Sequence, residues 1–416
     1  MIPKLRSGYL CFFCGIAALI LIFTLSSHRQ GIIYNDISLL GGHVNSNSTN
    51  SRSDGNSSLL DIISCSDIIL EKNVQQRGNF VVFQNYIRAE KQFRCDESIT
   101  LTSPGDYRFL DNIIPLVERW RGPCIAFLRT CETPLIRELV TFHLFFENEH
   151  IPNTTDRPLI GIYRDAFDCS LKPPYAIMTD DEMYKEKHAL TYPINVARNI
   201  AKVTAQTYFV FPSDIELYPT RNFIEHFMTF VHKNPEHFQE DKSNVFVLPI
   251  FEILADQKVP ENKSHLQEMY KSKTAILFHK TVCPQCHKVP DGDKWIQAWE
   301  TEGLNVFSVG KREGPHAIWE PFFVCTQREP LWDERLNWEG QGNKMCQAYT
   351  MCILDYDFMV FDNAFLIHKP GIKKKKVQVL KHMDQTRKNN KILVKIQNEL
   401  QKIYGKTERC RVHNVF

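Results

Sequence analysis

Hydrophobic and polar positions divide the 416-residue chain into three stretches of different character. Residues 8–25 (GYLCFFCGIAALILIFTL) form an uncharged apolar run of 18 residues. That length reaches the 17–25 residues of a membrane-spanning helix. The run exits into Ser-Ser-His-Arg-Gln, a poor cleavage site, so it reads as an uncleaved signal anchor. Lys4 and Arg6 precede it and Arg29 is the only close basic residue after it. This bias puts a tail of residues 1–7 in the cytosol and the rest of the chain across the membrane. Residues 26–75 follow as a stem; the section 41–58 (GGHVNSNSTNSRSDGNSS) has too little apolar surface to fold. Sequons at Asn47, Asn56, Asn153 and Asn262 are glycosylation candidates in a lumenal chain.

From residue 76 to 416 the pattern changes to short apolar runs alternating with helical periodicity. Strands are expected over 80–83, 124–128, 208–211, 245–251 and 357–361. Helices are expected over 110–120, 135–148, 195–204, 222–232 and 384–404. Interleaved strands and helices predict an α/β domain whose sheet is covered on both faces. No internal repeat and no glycine-rich phosphate loop interrupts this pattern. The run Lys373–Lys376 reads as a solvated loop.

Composition narrows the function classes. Lys and Arg total 50 against 48 Asp and Glu, a net charge of +2 that supplies no general attraction for nucleic acid. The 28 Phe, 14 Tyr and 6 Trp exclude a disordered chain. Thirteen cysteines suit a large domain in an oxidising compartment. Cys11 and Cys14 lie in the apolar run, which leaves an odd eleven. Cys283-Pro-Gln-Cys286-His287 lacks the second ligand pair of a zinc site, so a structural disulfide, local or to distant partners, is the expectation.

The chemistry concentrates in Tyr208-Phe-Val-Phe-Pro-Ser-Asp214-Ile-Glu216-Leu-Tyr-Pro219. A buried strand ends there, and ligands of open α/β sheets bind at the carboxyl ends of strands. In an extended segment residues i and i+2 face the same way, so both carboxylates are expected at one site. Such hard oxygen donors suit Mn²⁺ or Mg²⁺ and leave positions open for phosphate oxygens.

Several motifs in one order then carry a resemblance. They are Glu118-Arg-Trp-Arg-Gly-Pro123, Tyr192-Pro-Ile-Asn-Val-Ala-Arg-Asn199, Asp214-Ile-Glu216, Val247-Leu-Pro-Ile-Phe-Glu252, Trp319-Glu-Pro-Phe322, Asp333-Glu-Arg335, Phe365-Leu-Ile-His-Lys369 and Asn390-Lys-Ile-Leu393. From about Glu118 to Cys410 the chain resembles the beta-1,4-glucuronyltransferases of glycosyltransferase family 49, which are related to the second catalytic domain of LARGE-type enzymes. The resemblance implies a GT-A-type α/β fold with a mixed central sheet, a UDP-sugar donor, a divalent cation and inversion at the anomeric carbon. Where the family pattern is usually D-x-D, this chain has Glu216, one methylene longer and still a hard oxygen ligand.

The resemblance also implies roles. Asp214, Glu216 and His368 form the expected metal set. Asn195, Arg198 and Asn199, at helical spacing on one face, join Asp214 as the expected nucleotide-sugar ligands; Arg is suited to clamp a phosphate or a uronate carboxylate. For the base that takes the acceptor proton, Asp333 is the first choice, with Glu320 as acceptor ligand or base and Glu334 as the outside choice. Glu252 has a structural alternative.

These readings together describe a Golgi type II membrane enzyme that moves glucuronate from UDP-glucuronate to a xylose-terminated or O-mannosyl glycan. A beta-1,3-N-acetylglucosaminyltransferase and an inactive lumenal glycan-binding homologue are the alternatives. A homodimer or a complex with other Golgi transferases is the expected assembly, with no nucleic-acid partner.

Overall fold

Short strands, most of them rich in Val, Ile and Phe, build three small sheets. The computed structural model describes residues 59–105, 111–121, 124–126, 134–150, 178–369, 371–372 and 382–412. The expected membrane run 8–25, the sequons Asn47, Asn56 and Asn153, and the run Lys373–Lys376 lie outside these residues. Among the described residues no helix is long and apolar enough to cross a membrane.

The first sheet contains β1 (Asn73–Arg77), β2 (Phe80–Ile87), β3 (Ile99–Thr102), β4 (Cys124–Ala126), β5 (Val140–Glu147) and β6 (Phe209–Pro212), in the order β1-β2-β5-β4-β3-β6. Parallel pairs β4/β5, β3/β4 and β3/β6 sit beside the antiparallel pairs β1/β2 and β2/β5. Continuing along the chain come β7 (Leu217–Pro219), β8 (Asn244–Val247), β9 (Ile250–Ile253), β10 (Ala275–Leu277), β11 (Val306–Gly310), β12 (Phe323–Val324), β13 (Asp357–Phe361) and β14 (Leu366–His368). These form a second sheet, β10-β9-β14-β7, and a third, β11-β13-β8-β12. Both are mixed, with parallel β14/β9 and β13/β8 at their centres. An antiparallel bridge between Val210 and Cys325 stitches the first sheet to the third. The chain adopts the expected α/β class with mixed strand pairing, but the strands divide among three sheets instead of forming one central sheet.

Two expected elements differ. The helix expected over 135–148 is a short helix, Pro134–Leu139, followed directly by β5. Val140-Thr-Phe-His-Leu-Phe-Phe is rich in β-branched and aromatic residues, and pairing with both β2 and β4 outweighs the helical spacing. The strand expected over 245–251 is two strands in two different sheets. Pro249 has no N–H to give a ladder, so the break falls at Leu248-Pro249, where the chain passes from the third sheet to the second.

The folded part begins ahead of the boundary expected at residue 76, because Leu59 and Ile63 are buried in the main core and Cys65 is disulfide-bonded to Cys95. The helix Phe223–Lys233 buries Phe223, Phe227, Phe230 and Val231, an i, i+4, i+7, i+8 stripe. These rings meet Phe238, Phe246 and Phe361, with Phe230 edge-on to Phe361 at 5.1 Å and Phe238 stacked on Phe246 at 4.9 Å. At the C-terminus the helix Met383–Tyr404 lays Leu393, Ile396 and Leu400 against Met345 and Tyr349 of the helix Met345–Ile353. Gly340 permits this approach: a Cβ there would meet the Asn389 side chain at 2.1 Å. A Cys352–Cys410 disulfide ties the end of the chain to the same helix.

Candidate active site

All three sheets converge where β6 ends and β7 begins, and the segment Ser213–Glu216 turns between them. Ser213 N–H donates to Thr102 O at 2.9 Å and Leu217 N–H to Asp214 O at 3.0 Å, which closes the turn. Arg119, buried in the helix Ile113–Trp120, donates to the carbonyls of Pro219 and Pro260 and anchors the far side of β7.

Because the segment turns rather than extends, the two acids diverge. Asp214 faces two cations: Lys344 Nζ at 3.0 Å and Arg198 Nη2 at 3.3 Å. Burial alone would push the Asp214 carboxyl up, but Lys344 and Arg198 outweigh it and hold the carboxyl well below the usual carboxylate range. Glu216 instead approaches His368, with Oε2 to Nε2 at 3.7 Å. His368 is the last residue of β14, buried between Leu217 of β7 and Glu252 of β9. Both of its ring nitrogens are buried without a hydrogen-bond partner. Such an orphaned imidazole beside a carboxylate suits a divalent cation. The expected trio Asp214, Glu216 and His368 is therefore brought together only as a pair, with Asp214 committed to the two cations. Among the described residues no group of three His, Cys, Asp or Glu is assembled for a metal.

Arg198, Asp214, Glu320, Phe322, Trp332 and Lys344 line one small cavity. The helix Ile194–Val203 delivers Arg198, whose Nη1 donates to Asn343 Oδ1 at 2.6 Å and Asn195 Oδ1 at 3.0 Å. Its guanidinium lies 5.9 Å from the Trp332 ring. Lys344, directly ahead of the helix Met345–Ile353, sits 3.6 Å from the centre of the Phe322 ring. Glu320 is half-buried, and burial raises its carboxyl above the ordinary value despite Lys344, Arg198 and Arg312. A carboxylate that lines the cavity and is raised by burial is a candidate proton acceptor.

Other expected ligands have structural duties. Asn195 is fully buried and its Nδ2 donates to the carbonyls of Asp333 (2.8 Å) and Asn343 (2.9 Å). Asn199 donates to Trp332 O and Glu334 Oε1, both at 2.8 Å, and accepts from Trp332 N–H. The two asparagines thus hold the loop that carries Trp332 and Asn343 and do not line the cavity. Asp333, the first choice for the base, does not line it either. Its carboxylate is gripped by Arg335 at 2.9 and 2.6 Å, and Arg335 also binds Glu399. Trp332, its neighbour in the chain, lines the cavity, while the Asp333 carboxylate turns toward its i+2 arginine. Glu334 pairs with Arg77 of β1 at 2.6 Å, and Glu252 accepts from His279 N–H at 2.9 Å. Lys344 is the residue sequence reasoning missed. Its one signal is a basic side chain immediately before an apolar helix.

The family model described as "Glycosyl-transferase for dystroglycan" matches residues 98–405, well over half of the chain. The chain belongs to this glycosyltransferase family. It is a UDP-sugar-dependent transferase. The chain is 25% identical to a beta-1,4-glucuronyltransferase 1 of Danio rerio over 332 residues, covering 70% of this chain and 72% of that protein. The figures for the Bos taurus beta-1,4-glucuronyltransferase 1 are 25% over 329 residues, 72% and 75%. Similarity to the Homo sapiens xylosyl- and glucuronyltransferase LARGE1 is 28% over 192 residues, 45% of this chain and 23% of that protein.

Proposed function

We propose that this family member is a GT-A-type, inverting glucuronyltransferase held in the Golgi membrane by residues 8–25, with its catalytic domain in the lumen. Its donor is UDP-glucuronate and its acceptor a xylose-terminated glycan of the O-mannosyl class. The observation that carries the reading is the convergence of Asp214, Arg198, Lys344 and Glu320 on one cavity at the end of β6. The names of the beta-1,4-glucuronyltransferase 1 relatives support glucuronate as the transferred sugar.

In this mechanism Arg198 and Lys344 bind the diphosphate oxygens, exchanging part of their hold on Asp214 for the nucleotide. Glu320 accepts the proton of the acceptor hydroxyl as its oxygen attacks the anomeric carbon opposite the leaving group. The bond from that carbon to the diphosphate breaks, and its electron pair leaves with UDP. Trp332 and Phe322 wall the cavity and keep water from the reacting carbon.

Glu216 and His368 would hold a divalent cation, Mn²⁺ or Mg²⁺. When bound, such a cation neutralises charge on the departing diphosphate.

The test is UDP release by the full chain purified in detergent, with a panel of UDP-sugars, an aryl β-xyloside acceptor, and Mn²⁺ or EDTA. Turnover confined to UDP-glucuronate and abolished by EDTA is expected. Turnover confined to UDP-N-acetylglucosamine overturns the donor assignment.

A further inference from the structure

The Cys283-Pro-Gln-Cys286-His287 segment takes no part in the chemistry above, yet it lies against Glu320. Cys283 and Cys286 are bonded to one another and close a tight hairpin whose tip, Pro284 and Gln285, is exposed. Its base is pinned from inside the second sheet. Fully buried Glu252 accepts from His279 N–H at 2.9 Å, and His279 O in turn accepts from Cys283 N–H at 2.8 Å. The hairpin ends on Glu320 from both sides of that residue's backbone. Glu320 N–H donates to Cys286 O at 2.8 Å, and His287 Nδ1 donates to Glu320 O at 3.1 Å.

The residues beside Glu320 are fixed from other directions. Arg312 Nε donates to Trp319 O at 2.8 Å, and Leu248 N–H donates to Phe322 O at 3.1 Å. His287 is itself buried, its ring 4.8 Å from Phe278 and 6.2 Å from Phe322. Glu320 follows no strand and starts no helix, so neither kind of ladder defines where its side chain points. The two bonds from the hairpin supply that definition.

We propose that the disulfide hairpin and His287 are the positioning element of Glu320: they set its carboxylate against the acceptor hydroxyl without touching substrate. The proposal rests on the reading of Glu320 as the base. A disulfide that closes so short a loop removes little chain entropy, so its worth lies in holding Cys286 O and His287 in place rather than in global stability. The exposed tip carries no charge and no large apolar side chain, which leaves the inward-facing carbonyl and imidazole as the hairpin's working groups.

The test uses the detergent-purified full chain with UDP-glucuronate and an aryl β-xyloside. Misplacing a proton acceptor by about 1 Å costs on the order of 100-fold in rate. His287→Leu, which removes the donor, is expected to lower kcat about 10–100-fold. KM for UDP-glucuronate stays within about twofold, because the side chains of Arg198, Lys344 and Asp214 are held by one another and by Asn195 and Asn343. His287→Asn, whose amide nitrogen takes the place of Nδ1, restores most of the rate. The paired change Cys283→Ser and Cys286→Ser gives the same kcat loss by a second route. In a Glu320→Gln background, His287→Leu lowers the residual rate no further. The proposal is overturned if His287→Leu and the serine pair both leave kcat within about twofold, or if His287→Leu is as damaging in the Glu320→Gln background as in the native chain. Wild-type turnover by Glu320→Gln would instead remove the base assignment, and this proposal with it.

Discussion

Replacing Glu320 by glutamine removes a proton acceptor while keeping the shape of the side chain, and the same exchange at Asp333 separates the two candidate bases. Loss of a positioned base costs about 10²–10⁴ in rate, which is about 2.7–5.4 kcal/mol of barrier. Glu320→Gln is expected to lower kcat by that factor. Its effect on stability is small: burial already disfavours the Glu320 charge, so neutralising it relieves one cost as it loses the attraction of Lys344, Arg198 and Arg312. Asp333→Asn reverses the pattern. It breaks the two-pronged contact with Arg335, whose side chain is 40% exposed and keeps Glu399 as a partner. Solvent screening limits that pair to about 1 kcal/mol, a fall of a few degrees at most in Tm, with kcat within about threefold of the native value. The assay is initial-rate UDP release at saturating donor, with Tm measured on the same samples. Because the Glu320 carboxyl is raised above 4.5 and must be ionised to act, activity grows as pH climbs through that raised value. Glu320→Gln removes that limb of the profile. A hundredfold kcat loss in Asp333→Asn at unchanged Tm, beside an active Glu320→Gln, would refute the assignment.

Three further changes probe the cations, a buried histidine and the packing. Lys344→Met removes one of the two charges facing Asp214; titration with UDP should show binding weakened about tenfold or more, since a hydrogen bond between charged groups contributes about 1.5–3 kcal/mol. His143, buried on β5 between Asn85 N–H at 2.9 Å and Thr204 Oγ1 at 3.1 Å, is pushed by burial from 6.5 down to about 3. The folded state therefore keeps it neutral where the unfolded chain is protonated. Stability is complete above pH 6.5 and falls as pH drops toward 3, by about 2 kcal/mol at pH 5; denaturant melts should show this slope, and His143→Gln should lose it. Gly340→Ala drives a methyl into Asn389, whose Nδ2 bonds Asn337 O and Gln341 O at 3.1 Å, and should cost about 1–3 kcal/mol in a thermal melt.

The parts legible in the sequence were those set by local pattern. Strand runs ended at prolines and turns, the stripe of Phe223, Phe227 and Phe230 marked its helix, and Asp214 fell at the end of β6 as its position after Phe-Val-Phe-Pro implied. Facing was legible only where the backbone was regular. The i, i+2 rule put Asp214 and Glu216 on one side, but the turn through Ile215, whose side chain is buried in the core, sends them to different partners. Helical spacing gathered Asn195, Arg198 and Asn199 correctly onto one helix. It did not reveal that the two amides hold backbone carbonyls far along the chain while Arg198 alone reaches the cavity. Lys344 lies 130 positions from the acid it pairs with, and no periodicity links them. The proposed preference for Glu320 over Asp333 turns on Arg335, two residues from Asp333, whose side chain holds that carboxylate.

The charge balance of the cavity gives a last consequence. Asp214 and Glu320 carry two negative charges, and Arg198 and Lys344 two positive ones, so the walls are close to neutral. A diphosphate entering alone adds about two negative charges beside Asp214, and a divalent cation held by Glu216 and His368 would supply the opposite charge at the other end of the Asp214–Glu216 turn. Two unit charges 4 Å apart in such surroundings interact by about 4 kcal/mol. The diphosphate by itself is opposed by Asp214, and a cation bound with it offsets that charge. UDP and Mn²⁺ are expected to strengthen one another's binding by a coupling of about 1–3 kcal/mol, or 5–150-fold, equal in both directions. Titrating UDP with and without Mn²⁺, and Mn²⁺ with and without UDP, measures both arms. His368→Ala should abolish the coupling and leave metal-free UDP affinity unchanged, because the Arg198 and Lys344 contacts do not involve that imidazole. Equal UDP affinity with and without Mn²⁺, within about twofold, would show that Glu216 and His368 do not hold a cation beside the nucleotide.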